Sequence, residues 1–507
     1  MAQVTFRPSG VSVSVEPGTT VAAAAQRAGI ALTLSCGGRG TCGLCAVRVM
    51  SGNLREADAA ERKGLARGRE DVRLGCLAQV EGDVELAPLF GSEQVIEARS
   101  VTHGARHAAV DLGTTTVAAR IIDEQGHVQG SAVVANAQQS WGGDVLSRIA
   151  AANSGHMEDL RTAALTSVAQ ALHAAGASEG EIGRLVIAGN TAMAALLIGV
   201  DPGSLGQHPF AAPEISPAAS LALPGESAPR PCTVLPPLAS FVGGDVLAGI
   251  ISSGMLHRER PEMLVDVGTN AEIVVRAEGR LWVASAAAGP AFEGAGISCG
   301  MPPVAGAVTR VSIAPSGRID LDTIDDAAPA GLSGAGLVSA ISALRGAGHL
   351  RADGLFDRSG PLTDRFVRDA HDVVGLVLDD GGSVVLNQLD VRTFQLAKAA
   401  VQVGVSAVLD AAGACPADIS VLHLAGGFGS ALQAEDLVRI GILPAGLARC
   451  MRYAGNGSLE GASAVALDPT LLDDALARIG RPVHVDLATS PGFARALIGG
   501  TELEATV

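Results

Sequence analysis

Short alternations of apolar and polar residues run through the first part of the chain. The segment VTFRPSGVSVSV (4–15) predicts two strands around a Pro-Ser-Gly turn, because alternate strand residues point to opposite faces. VAAAAQRAGI (21–30) predicts a short helix, and AVRVMSG (46–52) and CLAQVEGDVELAP (76–88) predict further strands. Residues 1–92 are therefore predicted to form a small sheet packed against one helix.

Beyond this region, strands alternate with helices to the end of the chain, which is typical of an α/β fold. Two segments resemble each other: AAVDLGTTTVAARIID (108–123) and MLVDVGTNAEIVVRAE (263–278). Each contains an apolar strand, then Asp-x-Gly-Thr, then a second strand. This is a weak internal duplication, with the two segments about 155 residues apart. The predicted organisation is a domain at 1–92, a linker at 93–106, a first lobe at 107–235 and a second lobe at 236–507.

Composition agrees with several α/β domains. A chain of 507 residues exceeds what one core usually supports, and its apolar residues (48%) include few aromatics (3%). The net charge is −16, although residues 1–92 hold ten basic and nine acidic residues. The acidic excess thus lies in the larger part, which argues against a nucleic-acid partner.

The chain is also predicted to be cytoplasmic and free of the membrane. Mean hydropathy is +0.34. The most apolar uncharged stretch, residues 185–200, is too short to span a bilayer and contains Asn190 and Thr191. The opening MAQVTFRPSG lacks the apolar region of a signal peptide.

Four cysteines near the N-terminus follow a metal-binding pattern. Cys36, Cys42, Cys45 and Cys76 have the spacing C-x5-C-x2-C-x30-C. Three thiolates on one loop and a fourth from a distance can enclose an iron–sulfur cluster, and the glycines of the loop let backbone N–H groups approach sulfur. Zinc is the alternative, but zinc sites usually contain two C-x2-C pairs, and only one is present here.

The two Asp-x-Gly-Thr turns predict phosphate binding. In each, an aspartate ends an apolar strand where it can hold hydrated Mg²⁺ or orient water, and the residues after it offer N–H and hydroxyl donors. We assign catalytic roles to Asp111 and Asp266. The predicted phosphate-binding residues are Gly113, Thr114, Thr115 and Thr116 in the first loop and Gly268, Thr269 and Asn270 in the second.

A third glycine-rich turn predicts a nucleoside site. In LHLAGGFGSAL (422–432), Gly426, Gly427 and Gly429 let a purine and ribose lie against bare backbone. Asp144 and Asp245, each behind Gly-Gly, are candidates for Mg²⁺ or water positioning, with a helix N-cap as the more common role.

These motifs resemble two known groups of proteins. The x5 spacing and the predicted β-grasp are similar to adrenodoxin-like ferredoxins, which hold a [2Fe–2S] cluster. The three turns resemble the phosphate-1, phosphate-2 and adenosine motifs of the superfamily of actin, sugar kinases and heat-shock chaperone ATPases. A nucleotide clamped between two lobes needs one loop from each.

The combination resembles the ATP-dependent reductive activators of corrinoid proteins. The strings that carry this resemblance are VDLGTTTVA, AGNTAM, FVGGDVLAG, DVGTNAEIVV, AGPAFEGAGISCGM, DVRTFQLAKAAV, LAGGFGSAL and GNGSLEGA. It implies a multidomain α/β protein, with a β-grasp [2Fe–2S] ferredoxin-like domain followed by a two-lobed actin-like ATPase with ribonuclease H-like lobes.

The resemblance also implies a function, its cofactors and its partners. One electron would pass from the [2Fe–2S] cluster to Co(II) of a corrinoid protein, with ATP and Mg²⁺ as further cofactors, regenerating Co(I) for methyl transfer. An upstream electron donor is required, and a homodimer is left open. The Gly-rich segment 285–301 is hypothesised to lie near the partner's corrinoid, with Ser285, Ser298 or Cys299 as contacts and Glu293 as its lone charge; a buried loop is the alternative.

Three other functions stay open at this point. The ATPase fold could phosphorylate a small molecule under redox control, although no segment singles out a general base for a kinase. The chain could be a simple electron carrier whose C-terminal part only binds a partner. It could also reduce a non-corrinoid metalloprotein at the expense of ATP.

Overall fold

The computed structural model describes most of the chain, and all structural statements below concern that part. The described residues are 1–7, 10–28, 30, 32, 40, 45–64, 71–88, 94–96, 106–177, 180–426, 432–490 and 492–506. Of the helices found there, none has the length and apolar character to cross a membrane.

Strands and helices are numbered in chain order. The strands are β1 (Ala2–Phe6), β2 (Val11–Val15), β3 (Ala46–Leu54), β4 (Val72–Leu74), β5 (Val80–Pro88), β6 (Gln94–Ile96), β7 (Arg106–Leu112), β8 (Thr116–Asp123), β9 (Val128–Ala135), β10 (Ile182–Gly189), β11 (Ala218–Leu221), β12 (Arg230–Val234), β13 (Glu262–Val267), β14 (Ala271–Ala277), β15 (Arg280–Ala286), β16 (Ala307–Ile313), β17 (Ile319–Thr323), β18 (Gly331–Leu332), β19 (Phe366–Arg368), β20 (Val374–Val377), β21 (Val385–Asn387), β22 (Val421–Gly426), β23 (Met451–Gly455) and β24 (Val483–His484). The helices are α1 (Val21–Arg27), α2 (Ala59–Gly64), α3 (Val145–Ala151), α4 (Met157–Ala174), α5 (Thr191–Ile198), α6 (Gly244–Ser253), α7 (Gly334–Gly346), α8 (Gln388–Ala412), α9 (Ala434–Arg439), α10 (Gly457–Leu467), α11 (Thr470–Ile479) and α12 (Phe493–Gly499).

The N-terminal region forms a five-stranded mixed sheet in the order β2-β1-β5-β3-β4. β1 pairs antiparallel with β2 and parallel with β5, while β3 is antiparallel to both β4 and β5. Val4 and Phe6 of β1 are fully buried with Ala24 and Ala25 of α1 in one core, which explains the predicted alternation. The structure thus contains strands in each of the three segments where the sequence predicts them, 4–15, 46–52 and 76–88.

Contacts divide the chain into two units. The first contains the described residues up to Ser252, and the chain returns to it at Gly457–Gly480. The second contains Ser253–Asn456 and Arg481–Val507. This division differs from the predicted lobe boundary at 235/236, because α6 stays with the first unit and α10 packs on β7, β8 and β10.

Each unit contains the same five-stranded arrangement. The order β9-β8-β7-β10-β12 in the first unit matches β15-β14-β13-β22-β23 in the second. In both, three consecutive antiparallel strands are followed by two strands parallel to the first of them. The weak duplication in the sequence is therefore a duplication of topology, as an actin-like fold requires.

The edges of these sheets differ. In the first unit β11 pairs with β12, and β6 pairs antiparallel with β9. Part of the predicted linker at 93–106 is thus a strand, and Arg106 begins β7. In the second unit the long helix α8 covers β14 and β15, and α7 packs on β16 of a separate three-stranded sheet.

Candidate functional site

Two of the four predicted cluster ligands lie side by side in the N-terminal domain. Cys45 directly precedes β3 and is fully buried, and Cys76 lies in the turn after β4. Their Sγ atoms are 3.3 Å apart. Two thiolates on one tetrahedral metal with bonds of ~2.3 Å are separated by about 3.8 Å. The pair therefore fits ligation of one metal atom; Cys36 and Cys42 lie outside the described residues.

Glycine makes this approach possible. The N–H of Gly75 donates to the carbonyl of Cys45 over 2.8 Å, and a Cβ on Gly75 would lie 2.9 Å from that same oxygen. A side chain there would push the Cys76 turn away from Cys45. Gly40, in the cysteine loop, has φ +70°, and a Cβ there would overlap the Leu77 side chain.

The first Asp-x-Gly-Thr loop connects β7 to β8. Asp111 is the penultimate residue of the buried strand β7, and its Oδ1 accepts a 2.7 Å hydrogen bond from the Ser458 hydroxyl at the start of α10. The side chain of Asn190 caps α5 and also donates to the Thr114 hydroxyl over 3.0 Å. The loop is thus held by residues far from it in sequence.

The second loop connects β13 to β14 in the other unit. Asp266 is again the penultimate residue of its strand, and the Gly268 N–H donates to the carbonyl of Asn270 over 2.8 Å to close the turn. Glu293 is half-buried beside this turn. Its Oε1 accepts a 3.2 Å hydrogen bond from the Thr269 hydroxyl, and it lies 3.2 Å from where a Gly268 Cβ would be.

The predicted adenosine turn begins beside the second loop. Gly426 ends β22 and pairs with Val267, the residue before Gly268. Its φ is +106°, and a Cβ there would lie 2.1 Å from the Val267 carbonyl, so that only glycine fits. Gly427 and Gly429 lie outside the described residues.

The two units place matching residues at matching positions. Asp111 pairs with Ala188 of β10, and Asp266 pairs with Ala425 of β22. In each case the parallel strand ends one residue later in a glycine, Gly189 or Gly426, whose missing Cβ makes room for a neighbouring carbonyl. Gly189 is therefore the first-unit counterpart of Gly426.

The two aspartates behind Gly-Gly both lie at the start of a helix. The Asp144 carboxylate caps α3 by accepting hydrogen bonds from the N–H and the hydroxyl of Ser147, at 2.8 and 2.6 Å. Asp245 lies in the first turn of α6 and accepts from the Val246 N–H. The N-cap role is thus observed for Asp144.

The segment 285–301 is tied into the second unit. The Ser285 hydroxyl donates to Glu272 over 3.2 Å, and both the N–H and the hydroxyl of Ser298 donate to Asp390. Burial raises the pKa of Asp390, while these hydrogen bonds act in the opposite direction. The hypothesis that this segment contacts a corrinoid stays a prediction.

A cavity of about 990 Å³ lies in the second unit between β16, α7 and α9. Arg310 and Arg439 line it, together with Ser339 and Asp436. His349 also lines it, is 5% exposed, and has no hydrogen-bond partner at Nδ1. The size suits a small organic molecule, and the polar groups favour one that carries hydrogen-bond acceptors.

Two residues at these loops escaped prediction as site residues. Ser458 lies in the string GNGSLEGA, 347 positions after Asp111, and nothing local shows that they meet. In the sequence, Glu293 is the lone charge of a Gly-rich segment. That isolation, soon after a phosphate-like loop, was the available signal.

Comparison with known proteins covers nearly the whole chain. Residues 4–81 match the family model for a 2Fe-2S iron-sulfur cluster binding domain, and 107–258 match the RACo middle region. Residues 260–506 match the C-terminal domain of RACo, the ASKHA domain. A solved reductive activator for a corrinoid, iron-sulfur protein has the same fold, with a TM-score of 0.72 and 24% identity, covering 100% of this chain and 99% of that one.

Two curated relatives act on corrinoid proteins according to their names. The [Co(II) methylated amine-specific corrinoid protein] reductase of Methanosarcina barkeri is 29% identical over 298 residues, covering 53% of this chain and 51% of the relative. The corrinoid activation enzyme RamQ of Eubacterium limosum is 31% identical over 419 residues, covering 78% of this chain and 69% of the relative. The chain therefore belongs to the family of reductive activators of corrinoid proteins, in which a [2Fe–2S] domain precedes an ASKHA domain.

Proposed function

We propose that this protein passes one electron to Co(II) of a corrinoid protein, regenerating Co(I), in a reaction coupled to ATP hydrolysis. The observation that carries the proposal is the presence, in one chain, of two cysteine thiols 3.3 Å apart and two Asp-x-Gly-Thr loops on duplicated sheets. Delivery to an easily reduced acceptor needs no ATPase. The combination therefore favours an acceptor whose reduction is uphill for ordinary donors.

The four cysteines hold the electron carrier. When bound, the [2Fe–2S] cluster supplies a one-electron redox couple. Cys45 contributes a thiolate from a buried position among Ala46, Val72 and Leu74, where water is excluded, and Cys76 brings the second thiolate within reach of the same metal. Because the carrier holds one electron at a time, an upstream electron donor must reload it after each transfer.

The two loops bind the phosphates of ATP through N–H and hydroxyl groups. In this proposal Asp111 and Asp266 hold hydrated Mg²⁺ or orient the attacking water, as carboxylates at phosphate sites do. The hydrogen bond from Ser458 fixes the rotamer of Asp111. Glu293 adds a second carboxylate at the loop of Asp266, placed to accept a proton from water.

The adenosine part occupies the second unit. Gly426, with Gly427 and Gly429, gives the nucleoside a bare backbone surface. Gln433, which follows shortly after these glycines in the sequence, lines the cavity of about 990 Å³, and we propose that the base or ribose enters this cavity. The helix α7 lines this cavity and begins at Gly334, where a Cβ would meet the Phe292 carbonyl, next to Glu293.

ATP drives the reaction through a change of state in the protein. A ligand shifts a conformational equilibrium only by its difference in affinity for the two states. ATP must therefore bind more tightly to the state that docks on the Co(II) protein. Hydrolysis then releases that state, so that nucleotide energy assists an unfavourable electron transfer.

The cellular setting follows from the same chemistry. Thiolate ligands require a reduced compartment, so we place the protein in the cytoplasm. A homodimer is compatible with this activity and would carry two clusters. Sedimentation of the purified protein decides between monomer and dimer.

The decisive experiment mixes the reduced protein with Mg-ATP and candidate Co(II) corrinoid proteins and follows the absorption band of Co(I). We expect Co(I) to form with ATP and not without it. The absence of ATP-dependent Co(I) with every corrinoid protein tested contradicts the proposal. ATP-dependent phosphorylation of a small molecule without a corrinoid protein would instead identify a kinase.

A further inference from the structure

Three consecutive carbonyl groups of the first Asp-x-Gly-Thr loop, those of Gly113, Thr114 and Thr115, accept hydrogen bonds from residues outside the loop. The donors come from the segment just after β9 and from α3. The bonds are Asn136 Nδ2 to Gly113 O (2.8 Å), Arg148 Nη2 to Thr114 O (2.5 Å), Asn136 N to Thr115 O (3.0 Å) and Gln139 Nε2 to Thr115 O. Three consecutive carbonyls therefore point toward these donors.

This arrangement sets the direction of the loop N–H groups. In a trans peptide the C=O and the following N–H point in opposite directions. Holding the carbonyls of Gly113 and Thr114 toward the donors turns the N–H groups of Thr114 and Thr115 the other way. A phosphate oxygen is attracted to N–H groups and repelled by carbonyl oxygens, so the loop keeps its attractive face for an anion.

Arg148 is the only cation among these donors, and it is fully buried. Its remaining hydrogen bonds go to the carbonyl of Gly142 (2.9 Å), to Oε1 of Gln138 (3.2 Å) and to the sulfur of Met193 (3.0 Å). All of these acceptors are uncharged. The nearby Asp144 carboxylate is engaged with the N-terminus of α3.

Burying a cation without an ion pair is unfavourable for folding. Burial lowers the pKa of Arg148 to about 9, and Asp144 acts in the opposite direction. The guanidinium thus stays charged at neutral pH. Its charge lies directly behind the Thr114 carbonyl, in a region from which water is excluded, where its field is weakly screened.

We propose that Arg148 is a positioning residue for ATP, which fixes the first phosphate loop with its N–H groups outward and adds positive potential behind it. The inference rests on the proposed function, since it needs ATP to bind at this loop. Arg148 itself touches no phosphate in this role. It acts through the Thr114 peptide, as a preorganised dipole does at an anion site.

A purely structural role for Arg148 is the alternative, and Arg106 provides a matched control. Arg106 is 5% exposed and lies at the opposite end of β7, where it pairs with Glu181 and the Gly176 carbonyl. Arg106→Met removes a buried guanidinium from the same sheet without touching the loop. It should lower thermal stability and leave nucleotide affinity unchanged.

The test measures the dissociation constants of ATP and AMP by calorimetry for the wild-type chain, Arg148→Met, Arg148→Lys and Arg106→Met. We expect Arg148→Met to weaken ATP binding roughly tenfold or more, the usual effect of losing a charged hydrogen bond, and to weaken AMP binding less. Arg148→Lys keeps the positive charge but loses the planar set of guanidinium N–H donors. Its ATP affinity should therefore lie between those of the wild type and Arg148→Met. The visible spectrum of the cluster should stay the same in all four proteins.

The outcomes separate the possibilities. An ATP-to-AMP affinity ratio equal to wild type in Arg148→Lys and in folded Arg148→Met overturns the inference. So does a loss of ATP affinity in Arg106→Met equal to that in Arg148→Met, because it reflects stability alone. If Arg148→Met does not fold, the ATP-to-AMP affinity ratio of Arg148→Lys alone decides whether the inference holds. A wild-type chain that binds no ATP refutes the proposed function and the inference together.

Discussion

Glu293 places a carboxylate beside the second Asp-x-Gly-Thr loop, which we propose binds phosphate. Its carboxylate lies 3.2 Å from the Thr269 hydroxyl, near the backbone of Gly268. A carboxylate at this distance from a phosphate-binding turn can orient a water molecule and accept its proton. The same residue was the lone charge of a segment hypothesised to face the corrinoid. The two roles predict different defects.

We predict that Glu293→Gln lowers the turnover of ATP hydrolysis about 100-fold, the usual size of a general-base effect, with ATP affinity changed by little. The amide keeps the shape of the side chain but cannot accept the proton. The measurement is steady-state ATPase activity beside calorimetric ATP binding. Ser298→Ala is the control in the same segment. The Ser298 hydroxyl donates a hydrogen bond to Asp390, so this variant should leave ATP hydrolysis unchanged.

Full hydrolysis by Glu293→Gln contradicts the role as a base. If that variant also forms Co(I) more slowly, the docking hypothesis for the segment is favoured instead.

At the scale of elements, a buried lysine of α8 binds the backbone of the C-terminal segment. Lys398 lies in the middle of α8 and is fully buried. Its ammonium donates to the carbonyls of Gly500 and Glu502, at 2.8 and 2.5 Å, and to Oε1 of Gln402 at 2.7 Å. Lys398 thus ties the segment around residues 500–502 to the middle of the helix.

This contact predicts a pH dependence of stability. Burial lowers the pKa of Lys398 to about 8, against about 10.4 in an unfolded chain. Between these values the unfolded state binds more protons, so the stability contributed by this group is present at high pH and lost as pH falls through 8. From pH 8 to 9.5 the wild type should gain about 1–2 kcal/mol relative to Lys398→Met.

Denaturant unfolding of both proteins at the two pH values provides the comparison. The methionine variant is its own control, since it has no titrating group at this position. A difference in unfolding free energy that stays flat, or falls as pH rises, is incompatible with a depressed pKa at Lys398.

At the scale of the whole molecule, electron handling and nucleotide handling reside in separate elements of the chain. The cysteine pair lies next to strands β3 and β4 of the N-terminal sheet, and the aspartates are the penultimate residues of β7 and β13. A mutation at the cysteine pair should therefore leave nucleotide binding measurable, and a mutation at either aspartate should leave the redox behaviour of the cluster measurable. This separation also distinguishes an ATP-driven activator from a simple electron carrier.

We predict that Asp111→Asn and Asp266→Asn abolish the ATP-dependent formation of Co(I) while the cluster keeps its spectrum and is still reduced by dithionite. Asparagine retains an oxygen that can accept the Ser458 hydrogen bond, so the fold should be preserved. Cys45→Ser is the reciprocal control, with a perturbed cluster and intact ATP binding. Undiminished electron delivery in both aspartate variants would identify a simple carrier.

Much of the fold and site followed from local patterns. Alternation predicted the strands of the N-terminal sheet, and the repeated Asp-x-Gly-Thr predicted the two matching sheets. The same repeat placed Asp111 and Asp266 at strand ends, because a buried strand followed by a glycine turn is recognisable within ten residues. The cysteine spacing, with the glycine-rich loop and the predicted β-grasp, predicted a cluster, and two of its four predicted ligands, Cys45 and Cys76, lie 3.3 Å apart.

The amino-acid sequence by itself thus determined the domain types, and it predicted which cysteines hold the cluster and which loops bind phosphate. Only the tertiary structure decided what holds those loops: Ser458 at Asp111, Glu293 at Thr269 and Arg148 behind Thr114. It also returned Gly457–Gly480 to the first unit. The physical reason is distance along the chain. Strand and helix periods are local properties, whereas these contacts join residues that come together only when whole sheets and helices pack.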